Sequence, residues 1–401
     1  MSAKSVRPLW LILGAATLIV FLGMGFRGVY GLFLEPISSH LDWGRGIFAM
    51  TFAIQNIFWG LTQPFAGGLA DKYGSGRVMG IGGLVYVTGI ALMSQVSSPI
   101  LMHLTGGVMI GIGQGLASQS IAMATVARHA PEHRRTLAMA VVTMGGSAGM
   151  LIFSPLAAQW ISGFGYVHAL LIFAGITALV LPLSFLLSGK PPVSAAAANQ
   201  SFGDAIREAS GHRGYWLLIS GFFVCGFHVS FIGLHFPAYI VDSGLDVAVA
   251  GAALAVVGLF NIGGTLGAGL LGDKYSKKYL LSFLYFGRSA AILYLLLAPT
   301  TEVTVLVFAG VIGIMWLSTV PLTTGLVGQI FGPQYMGMLA GVVFFSHQIG
   351  SFLGAWLGGV LFESTGSYDI VWWISFGLGI FAALVHWPID DRPVVRAAAT
   401  A

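Results

Sequence analysis

The chain alternates between long, nearly unbroken apolar runs and short polar punctuation. The first run covers roughly residues 9–34, and eleven more follow, near 47–70, 78–96, 101–127, 137–160, 166–188, 215–240, 248–272, 279–298, 304–327, 337–361 and 368–387. A helix that crosses a hydrocarbon core of about 30 Å needs about 20 residues at about 1.5 Å each, and every run is close to that length or beyond it. Unbroken apolarity favours helices over outer-membrane strands, whose hydropathy alternates over about 10 residues. The pattern predicts an all-α, polytopic membrane protein with twelve transmembrane helices. The first run exceeds the apolar stretch of a signal peptide, about 7–15 residues, and is read as a retained first span.

Composition sharpens this. Residues of the AVILMFWYC class make up 56%, Asp, Glu, Lys and Arg only 8%, and glycine occupies 57 positions. A water-soluble domain carries about 25% charge to clothe its surface, so most of this surface must face lipid. Abundant glycine suits close helix packing where lipid gives no hydrophobic drive for association. The net charge of +4 is no nucleic-acid signature, because the basic residues form no stripe. They report topology instead. With both termini cytoplasmic, all 18 Lys and Arg residues fall in cytoplasmic loops and tails except Arg45, in an outer loop, and Arg27 and Arg288, within spans. That is the positive-inside bias. The expected location is the cell inner (cytoplasmic) membrane, and the expected state a monomer. The one cysteine, Cys225, excludes an intrachain disulfide.

The run Gly67-Gly68-Leu69-Ala70-Asp71-Lys72-Tyr73 recurs as Gly269-Leu270-Leu271-Gly272-Asp273-Lys274-Tyr275, and the same offset of 202 carries Pro131 onto Pro333 and Leu137 onto Leu339. Three matches at one register point to two homologous halves. The expected organisation is a six-helix bundle over residues 1–188, a cytoplasmic linker over 189–214, and a second six-helix bundle over 215–401. Within the linker, Phe202 and Ile206 oppose Asp204, Arg207 and Glu208, so that stretch is expected to lie flat on the cytoplasmic surface. Two parallel bundles that rock about a central site give alternating access, the arrangement of a transporter.

The loop Gly67-Gly68-Leu69-Ala70-Asp71-Lys72-Tyr73-Gly74-Ser75-Gly76-Arg77, with its weaker copy at 269–278, resembles the signature of the major facilitator superfamily. The resemblance implies that Asp71 and Asp273 engage basic groups and latch a gate, with Lys72, Arg77 and Lys274 beside them. Within that superfamily, Gly28-Val29-Tyr30-Gly31-Leu32-Phe33-Leu34-Glu35-Pro36 followed by Trp43-Gly44-Arg45, and Arg134-Arg135-Thr136-Leu137-Ala138 leading to Gly145-Gly146-Ser147-Ala148-Gly149, resemble the monocarboxylate and oxalate–formate branch. The chain departs from that branch at its binding residues. Thr265 stands where the branch carries an eighth-span arginine, Arg27 lies one place from its first-span lysine, and His347 is the nearest match to the eleventh-span lysine.

Arg27 lies about 12 Å below the outer end of the first span. A guanidinium at that depth must face water, protein or an anion, and its fixed fork of donors suits a carboxylate. The repeat places His228 across the pseudo-axis at similar depth, where an imidazole donates to an anion and relays a proton; His235 lies two turns further out as a second coupling candidate. Arg288, in a ninth span outside the cavity of this superfamily, is expected to be structural. Gln55, Asn56, Trp59 and Gln63 form a polar stripe on the second span. Gln63, Asn261, Thr265 and His347 are expected to line the substrate cavity, with Tyr30, Phe231 and Trp316 as apolar walls.

No carboxylate lies deep in any span, which weighs against a sodium site and a cationic cargo. No phosphate-binding glycine loop, metal-ligand cluster or nucleophile triad occurs, so neither catalysis, cofactor nor metal is expected. The reading is a secondary active transporter that moves a small organic anion, most naturally a monocarboxylate, across the bilayer by rocker-type alternating access, with protons or a counter-anion as coupling partner. The alternative is export of an amphipathic drug or metabolite.

Overall fold

The computed structural model describes residues 8–131, 135–187, 202–332 and 336–394, and all regular structure among them is helical. Helix α1 (Leu9–Val29) passes through a 3₁₀ turn, Tyr30–Phe33, into α2 (Leu34–His40), so the first crossing is longer than its apolar run. Helices α3 (Arg45–Tyr73) and α4 (Ser75–Met93) turn on Gly74, whose φ of 95° only glycine adopts freely. The fourth crossing is built from α5 (Pro99–Met102), a wider π-helical stretch His103–Met109, α6 (Ile110–Leu116) and α7 (Gln119–His129). Helix α8 (Arg135–Thr177) is broken at Gly165, with φ 78° and ψ 163°, where the expected fifth and sixth spans divide, and α9 (Val180–Leu186) completes it.

The linker holds α10 (Phe202–Gly211). Then come α11 (Arg213–Asp242), α12 (Val247–Lys274), α13 (Lys277–Leu297), the pair α14 (Glu302–Met315) and α15 (Thr319–Phe331), α16 (Met336–Thr365) and α17 (Asp369–His386). Helix starts carry the residues that satisfy free N–H groups. Asp246 accepts from the amide of Ala248 at 2.7 Å, and Thr301 from that of Thr304 at 3.2 Å. Ten segments among the described residues are long and apolar enough to cross a membrane. The twelve expected crossings count Arg45–Tyr73 besides and divide the α8 segment at Gly165.

The internal offset reappears in how helices touch. A Cβ added to Gly111 would stand 2.6 Å from the carbonyl oxygen of Gln55, and one added to Gly313 would stand 2.8 Å from that of Val257. Both residues of the second pair lie 202 positions after the first. Gly149 presses on the carbonyl of Phe21, as Gly350 does on that of Phe223, with no room for a side chain at either. Helix α1 therefore packs on α8 in the way α11 packs on α16. Backbones approach this closely only where the intervening side chain is missing.

The halves meet mainly through α3 with α16 and α8 with α12, and the 3₁₀ turn at Gly31 also presses on the Gly233 and Leu234 carbonyls of α11. Arg45, at the start of α3, grips Asp242 at the end of α11 through both carboxylate oxygens and reaches the Tyr368 hydroxyl at 3.1 Å. Glu363 accepts from the Gly46 amide at 2.7 Å, and Gly359 sits against Gly46 and Ala49. Since Arg45 follows the far end of the first crossing and Tyr368 precedes the last, both described chain ends lie on the opposite side of the bundle. Toward that side the pairs separate. Gly60 still touches Gln348, but Gly67 and Gly341, two turns on along the same faces, have open space beside them. On α12, Gly251 and Gly258 meet α8, whereas Gly269 on the same face meets nothing. The bundle is closed at the Arg45 end and parted at the end that carries the termini.

Gly149→Leu is expected to lower the melting temperature of the purified protein sharply, since overpacking costs about 1–3 kcal/mol or more. Gly175→Ala, with open space beside it, is expected to leave it unchanged. Equal melting curves for the two variants would contradict this packing.

Candidate functional site

Arg27 lies at the centre of the interface between the halves, on α1 one turn before the 3₁₀ break. The neighbouring helix α3 runs antiparallel to it from the same outer turn, so Gln55 and Asn56 reach the same depth. Arg27 Nη1 donates to Gln55 Oε1 at 3.2 Å, and Nη2 donates to Asn56 Oδ1 at 2.7 Å. The guanidinium carbon stands 4.8 Å from the ring centre of Phe52 and 4.6 Å from that of Trp59. Both amides are themselves fixed. Gln55 donates to the Gly106 carbonyl at 3.3 Å, and Asn56 to the Phe52 carbonyl at 2.8 Å.

Every one of these partners is neutral. Among the described residues no carboxylate pairs with Arg27, and the ion pairs stand elsewhere, at Arg45–Asp242 and Lys278–Asp391. Two of the guanidinium's five N–H donors are used on amide oxygens, which leaves the others for a ligand. The indole N–H of Trp59 is buried without a partner. The other half faces this cage with α16. Phe344 meets Trp59 edge to face at 5.5 Å, and Gln348 Nε2 donates across the interface to the Asn56 carbonyl at 3.2 Å. Behind Gln348, its Oε1 accepts from His347 Nδ1 at 3.0 Å.

Of the residues singled out in the sequence, Gln55, Asn56 and Trp59 gather round Arg27, His347 stands behind Gln348, and Asn261 lies further along the same interface. Asn261 donates to Ser147 Oγ at 2.9 Å on the opposite half, while its oxygen accepts from Thr265 Oγ1 at 3.1 Å and the Leu317 amide at 3.0 Å. Asn261 thus uses both acceptor positions and one N–H, and Thr265 points at it. Gln63 donates to Ser120 at 2.8 Å within the first half.

The expectation for His228 is overturned. It is 1% exposed, its Nε2 lies 2.8 Å from the Ser375 carbonyl on α17, and it faces the inside of its own half rather than Arg27. The repeat explains this. Its mate, Phe26, is likewise fully buried against Tyr86 and Phe173. The offset matched depth, and a helix residue one place from Arg27 points about 100° away from it. His235 is also internal, with its ring nitrogens 2.8 Å from the Ala355 carbonyl and 3.3 Å from the Tyr368 hydroxyl. Phe231 packs 4.7 Å from Trp372, fully buried and away from the interface. Tyr30 is sealed inside the first half with its hydroxyl on Met93 Sδ at 3.1 Å. Neither is a cavity wall. Trp316, 8% exposed, borders Gly233 of α11.

Arg288 is 2% exposed on α13 and caps a broken helix. Between α14 and α15 the chain leaves carbonyls without helical partners; Arg288 Nε donates to that of Met315 at 3.2 Å and Nη2 to that of Trp316 at 2.7 Å. A cation at a helix C-terminus is favoured by the aligned peptide dipoles. The carbonyls it bonds belong to the tenth expected span. Among the gate residues, Arg77, Asp273 and Lys274 are exposed and make no ion pair among the described residues. The side chains of Asp71 and Lys72 lie outside the described residues.

A family model described as the Major Facilitator Superfamily matches residues 16–355 and 269–400. The chain is 26% identical over 385 residues to the uncharacterized MFS-type transporter YcxA of Bacillus subtilis (strain 168), covering 92% of this chain and 91% of that protein. It is 24% identical over 410 residues to the oxalate:formate antiporter of Oxalobacter formigenes, covering 96% and 93%. With monocarboxylate transporter 12 of Xenopus laevis the identity is 26% over 337 residues, covering 76% and 72%. Among solved structures, a D-xylose–proton symporter superposes with a TM-score of 0.76 at 16% identity, over 97% of this chain and 100% of that one. At that identity the likeness shows the fold.

Arg288→Lys keeps the charge but replaces a fork with a single point that cannot reach both carbonyls. It is expected to lower the melting temperature while the folded fraction keeps its ligand affinity. A normal melting temperature in a thermal scan would remove the capping role.

Proposed function

Because this chain belongs to the Major Facilitator Superfamily and is a multi-pass membrane transporter, we propose that its cargo is a small organic anion with a single carboxylate, bound at Arg27. The observation that carries this reading is the guanidinium with no counter-charge among the described residues, held between amide oxygens and aromatic faces at the meeting of the halves. A buried charge whose partners are all neutral is costly, and an incoming carboxylate removes that cost. The free N–H groups of Arg27 supply charge-assisted bonds, and the Trp59 indole N–H supplies a further donor beside them. One cation suits one carboxylate. The oxalate:formate antiporter and the monocarboxylate transporters among the relatives fit this chemistry.

In this reading the chain crosses the cell inner membrane twelve times as two rocking six-helix halves, with both termini in the cytoplasm. The parted side then faces inward and the Arg45–Asp242 clasp closes the outside. An occupied Arg27 is neutralised, so burying it as the inner side closes costs less. The clasp opens in turn, and the anion leaves or is exchanged. Export of an amphipathic molecule would be favoured if a protein carboxylate neutralised Arg27, and the neutral cage argues for the anion instead.

Uptake of labelled formate, lactate and oxalate into proteoliposomes tests the assignment. Loss of charge-assisted bonds worth about 1.5–3 kcal/mol predicts that Arg27→Gln cuts saturable uptake by about tenfold or more, with Arg27→Lys between it and the parent protein. Uptake by Arg27→Gln equal to the parent's, in protein that melts normally, would refute the site.

A further inference from the structure

One face of α12 is left without protein against it. Gly258 and Asn261 point at α8, whereas Leu259, Gly263 and Gly267 recur every four residues on the opposite side of the helix. Gly264 is pressed on the Ile314 carbonyl, but Gly263 and Gly267 have open space beside them. Here α12 and α13 stand apart, and a furrow of about 580 Å³ runs between them, floored by the α14–α15 junction at Ile314, Ser318 and Leu322. Its one polar lining side chain, Ser318, donates its hydroxyl to the Ile314 carbonyl, so the furrow presents no free polar side chain. It opens away from the interface where Arg27 lies, and therefore onto the hydrocarbon of the bilayer. From Leu259 to Leu271 it extends about 18 Å along α12, close to one leaflet of a core about 30 Å thick.

Each wall of the furrow ends in a lysine. On α12, Lys274 is the last residue and follows Gly267 by seven, two turns on along the same face, while Asp273 is turned about 100° away from it. On α13, Lys277 is the first residue and precedes the lining residues Leu280 and Leu284 at helical spacing. Lys274 is exposed, and neither lysine has a carboxylate partner among the described residues. Lys277 Nζ donates to the neutral Gln329 Oε1 at 3.1 Å. Lys278 differs, since Asp391 stands 3.5 Å from its amine. The start of α13 has no side-chain cap either, because the Ser276 hydroxyl donates to Asp391 at 3.0 Å. Tyr275 and Tyr279 are exposed at the same level, as tyrosines are at a membrane–water boundary.

We propose that this furrow binds an anionic phospholipid from the leaflet on the side of the chain ends, with one acyl chain between α12 and α13 and the phosphate at Lys274 and Lys277. The depth fits a chain entering from that surface, the apolar lining fits its methylenes, and the two uncompensated cations fit its head. A second copy of this protein fits less well. Two copies in one bilayer, paired through this face about an axis normal to it, would bring their Lys274 and Lys277 ends together. The acyl chain packs on Ile314 and Leu322, either side of the break that Arg288 caps, so an occupied furrow stabilises the helix junction. The proposal is independent of the cargo.

Delipidated full-length protein in detergent is irradiated with a phosphatidylglycerol that carries a photoactivatable group midway along one acyl chain. Labelling is expected to concentrate on residues 259–271 and 280–284. Native mass spectra are expected to show phosphatidylglycerol retained over phosphatidylcholine by about fivefold for each lysine. Lys274→Gln combined with Lys277→Gln removes that preference. Gly267→Leu, which fills open space, lowers labelling of the furrow in protein that melts normally. Labelling spread evenly over the outward helix faces, or undiminished in folded Gly267→Leu, overturns the proposal. Equal retention of the two lipids by the parent protein overturns it as well, as does a crosslink from the furrow to a second protein chain.

Discussion

A positive charge that cannot be given up stands where the two halves meet, and among the described residues no negative one meets it. Arg27 keeps its proton under any physiological condition, and its companions in the bundle are two amide oxygens and two aromatic rings. The Gly106 carbonyl of the fourth crossing holds Gln55, the Phe52 carbonyl one turn back on α3 holds Asn56, and the second half adds Gln348 from across the interface. Remove the guanidinium and this network of acceptors loses its reason to converge. The charge also gives a rocking bundle something to respond to, since a neutralised site is cheaper to enclose than a charged one.

The scaffold around that charge is made by glycine. Where α1 meets α8 and α11 meets α16, backbone presses on backbone within each half. Between the halves close backbone contacts recur, at Gly31 with Gly233, Gly258 with Ser147 and Leu151, and Gly359 with Gly46, and polar bonds are added to them. A bidentate ion pair and single polar bonds hold the Arg45 end, while the end carrying the termini has parted. The Arg45–Asp242 pair is half-buried, with Arg45 also bonded to the Tyr368 hydroxyl, and it fastens this end of the bundle together with the glycine contacts.

Much of this was legible in the sequence because lipid imposes simple rules. Continuous apolar runs gave helices in the right places, with ends displaced by a few residues: Arg213 rather than residue 215 begins α11, and Arg45 rather than residue 47 begins α3. The helix breaks at Tyr30–Phe33, at His103–Met109 and between Met315 and Thr319 were not, since they depend on what neighbouring helices offer the freed backbone groups. Of the site, Arg27 stood out because a lone cation in an apolar run is conspicuous. Its partners were also within reach of the sequence: Gln55 and Asn56 lie about as far after the Leu41–Gly44 turn as Arg27 lies before it. The repeat misled on His228 because an offset fixes depth but a single-residue step rotates a side chain out of the interface. Gln348, beside His347, was legible as a polar cavity candidate of the eleventh span, but its bond to the Asn56 carbonyl of the other half depends on packing the sequence does not give.

The most direct measurement is a structure of the protein with 3-bromopropionate bound, in which the bromine marks the cargo independently of the carboxylate. The account predicts the carboxylate on Arg27, between Trp59 and Gln348, with bromine in the parted space between the halves. A ligand bound elsewhere, with Arg27 still occupied only by Gln55 and Asn56, would contradict it.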